Sequence, residues 1–245
     1  MGQDTTLISQ PAVGLTTLQY LSETKGLNQW MFETILPYVS GRILEIGSGI
    51  GNISSQFVAA KMPITLTEFD GQYCHMLREK FDKEPLVRGI YQLDLVHAAF
   101  EKNYSQLLNS FDTVFALNVV EHIADDKQAI ANARSLLAPG GRLIILVPAY
   151  QALYNGIDRG LDHYRRYTRK SIKHLLSDGF DILSTRYFNL AGVFGWFVSG
   201  TVLQKKSLTA GPLHLYNKLV PLFRVADALT FHQVGLSVIA IGRKK

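Results

Sequence analysis

A chain of 245 residues, 47% hydrophobic and 18% charged, is long enough to bury one sizeable core and too apolar to remain disordered, so one elaborated domain is expected. Cys74 is the only cysteine; this excludes an intramolecular disulfide and any cysteine-cluster metal site, and fits a reducing cytoplasm. The net charge of +5 is dispersed except at Arg165-Arg166, Lys205-Lys206 and Arg243-Lys244-Lys245, which lacks the concentrated basic face of a nucleic-acid binder, so no nucleic-acid partner is expected.

Residues 1–10 combine no basic stretch with an apolar core, so no secretory signal is expected there. Segments 15–24 and 28–39 read as two amphipathic helices covering one end of the first strands. From Gly41 onward, short β-branched runs at 42–46, 64–68, 89–93, 113–117 and 142–147 alternate with helical stretches at 52–61, 71–81, 98–108 and 125–137. That alternation predicts an α/β fold built on a mostly parallel sheet with helices on both faces. Pro139-Gly140-Gly141 stops the last of these helices and is assigned no chemistry. A helix at 170–177, a strand at 181–188 and a final strand at 236–241 bring the sheet to seven strands. The division expected is a helical cover (1–40), a core (41–188), an insertion (189–233) and a last strand (234–245).

The insertion is far longer than a hairpin needs. It carries Phe194, Trp196, Phe197, Tyr216, Phe223 and Phe231 beside Lys205, Lys206, Lys218 and Arg224. A lid, a homodimer surface, a peripheral patch meeting lipid and plain additional core all fit that composition. Its apolar run, 190–203, is shorter than the roughly 20 residues that cross a bilayer.

Glu45, Glu68, Asp94 and Asn118 follow one another at intervals of 23, 26 and 24 residues, each at or just past the carboxyl end of an expected strand. In an open α/β sheet that edge is where ligands bind. Gly47, Gly49 and Gly51 let the chain turn from strand to helix while backbone N–H groups approach a ligand closely. A dinucleotide fingerprint would want glycine where Asn52 stands and does not call for Glu45, which argues against an NAD-dependent oxidoreductase.

The run Ile43-Leu44-Glu45-Ile46-Gly47-Ser48-Gly49-Ile50-Gly51 resembles motif I of the class I, Rossmann-like S-adenosylmethionine (SAM)-dependent methyltransferases. Phe111-Asp112-Thr113-Val114, Asn118-Val119-Val120-Glu121-His122-Ile123 and Leu136-Leu137-Ala138-Pro139-Gly140-Gly141-Arg142-Leu143 resemble its later segments. The resemblance spans about 41–148 and implies a cofactor site. Glu45 and the backbone of Gly47, Ser48, Gly49 and Gly51 would surround the methionine and ribose portion, and Glu68, beside Phe69, would accept the ribose hydroxyls. Asp94 and the Leu95 N–H would meet adenine, and Asn118 the methionine amino end. Asp70, the rival to Glu68, sits where a helix N-cap is wanted. The product would be S-adenosylhomocysteine, and a catalytically silent SAM-binding protein is the alternative reading.

On the acceptor side, methyl transfer from a sulfonium demands alignment and exclusion of water; a base is needed only if the acceptor holds a proton. His163, in Asp162-His163-Tyr164-Arg165-Arg166-Tyr167-Thr168, is the first catalytic candidate and His122 the second. Tyr164, Arg165, Arg166 and Tyr167 are candidates to hold the acceptor, the arginines through an anionic group; Tyr20 and Trp30 would close over the site. For each, ordinary loop structure or core packing is the plainer alternative. Asp158, Asp162 and His163 match no dedicated metal cage, so no metal is expected. The whole resembles bacterial enzymes that methylate small molecules of natural-product, glycan or lipid pathways, with an aromatic, lipid-like or anionic acceptor, O-methylation ahead of N-methylation.

Overall fold

The computed structural model describes residues 11–207 and 210–245; residues 1–10, read above for a targeting signal, lie outside them. Seven strands form one sheet: β1 (Ile43–Ile46), β2 (Ile64–Glu68), β3 (Val87–Gln92), β4 (Phe111–Leu117), β5 (Leu137–Pro148), β6 (Phe180–Phe188) and β7 (Ser237–Lys244). Their order is β3-β2-β1-β4-β5-β7-β6. The pairs from β3 to β5 are parallel, and β7 runs antiparallel between β5 and β6. The strand order reverses between β1 and β4, which opens a crevice at their carboxyl ends.

The helices among the described residues are α1 (Pro11–Glu23), α2 (Lys25–Ile35), α3 (Ser54–Ala59), α4 (Gly71–Lys80), α5 (Phe100–Asn103), α6 (Asp126–Leu136), α7 (Gly156–Gly160), α8 (Arg169–Leu176), α9 (Leu190–Trp196) and α10 (Ala210–Leu229). The central strands bury both faces, as continuous apolar runs in a parallel sheet require. Leu44, Ile46, Val114, Leu143 and Ile145 enter one buried cluster, while their alternating neighbours Ile43, Phe115, Ile144 and Leu146 enter another. The second also takes Trp30, Phe32 and Ile35 from α2, which is how the N-terminal helices grip the sheet.

Asp70 caps α4, accepting from the Gln72 and Tyr73 N–H groups. Thr168 caps α8 in a capping box with Ser171. Two local expectations fail. The helix expected at 98–108 is a single turn, α5, followed by a 3-10 turn at Ser105–Leu107. The expected Pro139-Gly140-Gly141 turn lies inside β5: α6 ends at Leu136, Leu137 already pairs with Phe111, and a register shift between Phe111 and Thr113 absorbs the extra residues. Pro and Gly here mark a bulge at the start of β5, with Gly140 at φ +73°.

The chain leaves the sheet after β6 and returns at β7 through a closed neck, the Leu236 N–H donating to the Asn189 carbonyl at 2.8 Å. Inside that excursion, Asp227 of α10 is buried and accepts from the Asn189 and Leu190 N–H groups, both at 2.7 Å, pinning the start of α9. Among the described residues no helix is long and apolar enough to cross a membrane.

Candidate active site

β1 delivers the chain into a turn whose three glycines sit at φ +69° (Gly47), +54° (Gly49) and +78° (Gly51), conformations that disfavour any residue with a Cβ. A Cβ on Gly47 would collide with Val119, and one on Gly49 would stand 3.2 Å from Leu18 of α1. The turn is therefore cradled between the loop after β4 and the N-terminal cover; Asn52 fastens that cover by donating from Nδ2 to the Leu18 carbonyl at 3.0 Å.

Glu45 is fully buried beneath the turn and takes a short hydrogen bond from the Ser54 hydroxyl; burial pushes its pKa up to about 7, against the pull of Ser54. Glu68, at the end of β2, accepts from the Gly49 N–H at 2.8 Å and from the Phe69 and Asp70 N–H groups at 2.8 and 3.0 Å. Burial raises its pKa and those N–H groups oppose the rise. A carboxylate has about four lone-pair sites, so receiving both ribose hydroxyls requires Glu68 to exchange its bond to Gly49. Phe69 stands 67% exposed beside it, an aromatic face open to a base.

At the end of β3, Asp94 accepts from the Val96 N–H at 2.9 Å, and its own N–H donates to the Tyr104 hydroxyl. The Leu95 carbonyl is held by Asn132 Nδ2 at 2.7 Å. Asn118 is exposed past β4 with φ +56°, an αL position that asparagine tolerates better than most residues. Glu45, Glu68, Asp94 and Asn118 thus line one edge with the glycine turn. A cradle of left-handed glycines, an open aromatic face and carboxylates suit a nucleoside with a cationic amino-acid tail, so the residues present fit SAM.

The loops after β4 and β5 meet at the same edge. The Tyr164 N–H donates to the Glu121 carbonyl at 2.8 Å, and the rings of His122 and His163 cross at 84° with centroids 4.6 Å apart. His163 is buried, its Nδ1 2.9 Å from Asp158 Oδ1. Asn155 caps α7, Asp158 completes the capping box by accepting from the Asn155 N–H, and Asp158 also takes Arg166 Nε at 2.8 Å. Burial opposes its ionisation, but His163 and Arg166 hold its pKa below the usual range. His122, exposed at one edge, is pushed down to about 4 by desolvation of its packed face and by His163. Glu121 is fully buried, its pKa pushed up to about 8 by burial, and neither carboxylate oxygen has a partner from another residue among those described.

Several expected acceptor contacts are occupied elsewhere. Trp30 lies in the core, its ring 4.4 Å from that of Phe188. Arg166 is buried, paired with Asp158, donating to the Ala149 carbonyl and stacked over Trp196. Tyr167 is buried, its hydroxyl on Asp126, and Arg165 pairs with the same carboxylate at 2.7 Å. These four residues build the loop and the core rather than an open acceptor wall. Tyr164 remains 59% exposed, and Tyr20 lies half-buried on α1. Glu121 is absent from the candidates read in the sequence: it adjoins His122, yet His163 follows 41 residues later, a separation that hides their meeting.

Residues 44–143 match the family model described as a methyltransferase domain. That stretch carries the glycine turn, Glu45, Glu68, Asp94, Asn118 and the Glu121-His122 pair. It is 31% identical over 112 residues to a ubiquinone biosynthesis O-methyltransferase of Caulobacter, covering 44% of this chain and 41% of that one. It is also 31% identical over 112 residues to a highly reducing polyketide synthase of Strobilurus tenacellus, covering 43% of this chain and 4% of that one. The chain thus spans less than half the length of these curated relatives. Solved methyltransferases share the fold: a phosphoethanolamine N-methyltransferase of Haemonchus contortus in complex with SAM (TM-score 0.57, 18% identity, 87% of this chain and 52% of that one) and a SAM-dependent methyltransferase from Archaeoglobus fulgidus (TM-score 0.56, 16% identity, 89% and 94%). The seven-stranded, mostly parallel sheet matches the sequence expectation, with β7 antiparallel as the added detail.

Proposed function

We propose that the protein transfers the SAM methyl group to a hydroxyl on a small-molecule acceptor, releasing S-adenosylhomocysteine. One observation carries the reading. Glu45, Glu68, Asp94 and Asn118 converge with the glycine turn on the edge where the crossed rings of His122 and His163 stand. SAM supplies an electrophilic methyl on a sulfonium; the chain's own residues hold the donor and exclude water. The acceptor approaches past exposed Tyr164, and its proton leaves on the side of His122 and His163. A hydroxyl must shed that proton to become a good nucleophile, whereas a neutral amine need not, and this favours O- over N-methylation. Titrating SAM, S-adenosylhomocysteine and NAD against the melting temperature is the first test. The second is transfer of labelled methyl to a panel of phenols, alcohols and amines; stabilisation by NAD alone, or label appearing only on amines, would refute it.

The excursion between β6 and β7 supports a lipid-like acceptor met at a membrane surface. Phe194, Leu229 and Phe231 are 71, 74 and 79% exposed, beside Leu222, Val202 and Leu203. Lys205, Lys206 and Lys218 accompany them, and the only acid of 189–233, Asp227, is buried. Exposed apolar side chains accompanied in one segment by cations suit an anionic bilayer.

A further inference from the structure

The geometry points to a divalent-metal site formed by Glu121, His122 and His163, which holds the acceptor oxygen beside the methyl donor. This rests on the methyl-transfer reading for its purpose, but not for its chemistry. One ligand atom from each of the three lies within 4.8 Å of the other two. Metal bonds of roughly 2.0–2.2 Å allow ligand atoms at most about 4.4 Å apart, so side-chain rotations that draw the trio in by a few tenths of an ångström complete the site.

Two further observations make this more than proximity. The Glu121 carboxylate is fully buried and has no partner from another residue on either oxygen; an orphaned buried carboxylate is costly unless something cationic meets it. Each imidazole also has one nitrogen committed away from the cluster. His163 Nδ1 faces the Asp158 carboxylate at 2.9 Å, and the Leu161 carbonyl accepts from the His122 ring. Metal-bound histidines characteristically give their second N–H to a carboxylate or carbonyl, which fixes the tautomer and turns the lone pair toward the ion. Asp158 is itself held by Arg166 and the Asn155 N–H, so the supporting shell is rigid.

Two imidazoles and one carboxylate suit a first-row ion such as Mn²⁺, Fe²⁺, Co²⁺ or Zn²⁺ better than an all-oxygen ion, and leave positions open. The acceptor hydroxyl takes one of them. Coordination lowers its pKa and its proton passes to solvent water. The oxygen lone pair then forms the bond to the methyl carbon, the carbon–sulfur bond breaks, and its electron pair returns to sulfur as the neutral thioether. His122 and His163 thereby act as ligands, and the base expected from sequence is not required.

The rival arrangement is a water molecule between Glu121 and Arg166 Nη2, the other buried atom nearby without a partner. The test uses the full-length protein stripped with chelator and titrated with Co²⁺ by visible absorption and with Mn²⁺ by calorimetry. We expect one ion per chain, and affinity weakened at least about 10-fold in Glu121→Gln and in His122→Ala, with SAM still raising the melting temperature of both variants. His122 has an exposed edge, so its variant folds even if the buried Glu121→Gln does not. Absence of stoichiometric binding, or equal affinity in His122→Ala, overturns the site and leaves the water bridge. Loss of SAM binding in the unmodified protein would instead overturn the methyl-transfer reading while the metal titration stood.

Discussion

The Glu68 carboxylate accepts the Gly49 N–H at 2.8 Å, so the end of β2 is tied directly to the glycine turn that follows β1. Glu68→Ala removes the tie and, on the proposed reading, the ribose acceptor. Calorimetry should show SAM affinity falling about 10- to 100-fold, about 1.5–3 kcal/mol, as expected for lost charge-assisted bonds. Unaltered affinity would move the ribose contact elsewhere. Asp70 is a poor substitute, since its carboxylate is committed to the cap of α4.

Glu45 makes a pH prediction with a definite sign. Its folded pKa of about 7 lies above the ordinary glutamate value of 4.5, so its contribution to stability is fully present below about pH 4.5, is lost as pH rises toward 7, and is level beyond. Such a shift corresponds to about 3 kcal/mol. Denaturant titrations of Glu45→Gln and the unmodified protein should diverge between pH 5 and pH 8, the variant gaining by roughly 2–3 kcal/mol. Parallel pH profiles would show that Glu45 is ionised throughout.

Gly47→Ala meets two obstacles, a left-handed backbone and a collision with Val119. We expect SAM binding to be lost in the single variant. Adding Val119→Ala should restore it in part, because backbone strain of about 1–2 kcal/mol persists. Full restoration would show that the collision alone mattered.

The loop arginines should separate sharply. Arg166→Ala leaves Asp158 buried without its guanidinium and should cost about 3–5 kcal/mol in urea unfolding. Arg165→Ala breaks a pair at a partly exposed position and should cost about 1 kcal/mol or less. Comparable losses would mean that burial does not distinguish them.

That contrast also marks where the sequence stops being legible. The β-branched runs and their phased polar ends could be read because strand period and strand-end chemistry are local, and the same holds for the caps at Asp70 and Thr168. Burial of a polar side chain is not local. Nothing in Arg165-Arg166 says that one guanidinium is enclosed and the other half in solvent, and the crossing of His122 with His163 exists only because β4 and β5 are neighbours. Pro139-Gly140-Gly141 misled for a related reason: turn chemistry and bulge chemistry use the same residues, and only the pairing of Phe111 with Leu137 decides between them.

The exposed apolar face predicts binding to vesicles. Sedimentation with phosphatidylglycerol-containing vesicles should be reduced by Phe194→Ser with Phe231→Ser, and separately by Lys205→Glu with Lys206→Glu, while binding to purely zwitterionic vesicles stays weak. Equal sedimentation of all forms would assign the face to another partner.

The hydrogen bond that joins Leu236 to Asn189 closes the neck of the 46-residue stretch between them. Both of its ends leave the sheet at one point, but α10 is also tied to the N-terminal cover over the glycine turn, the Gly26 N–H donating to Asn217 Oδ1 at 2.8 Å and Arg224 pairing with Glu33 at 2.6 Å. A graft of the corresponding stretch from another enzyme of this fold, joined at that neck, would therefore have to keep those α10 contacts for the cover over the glycine turn to stay in place.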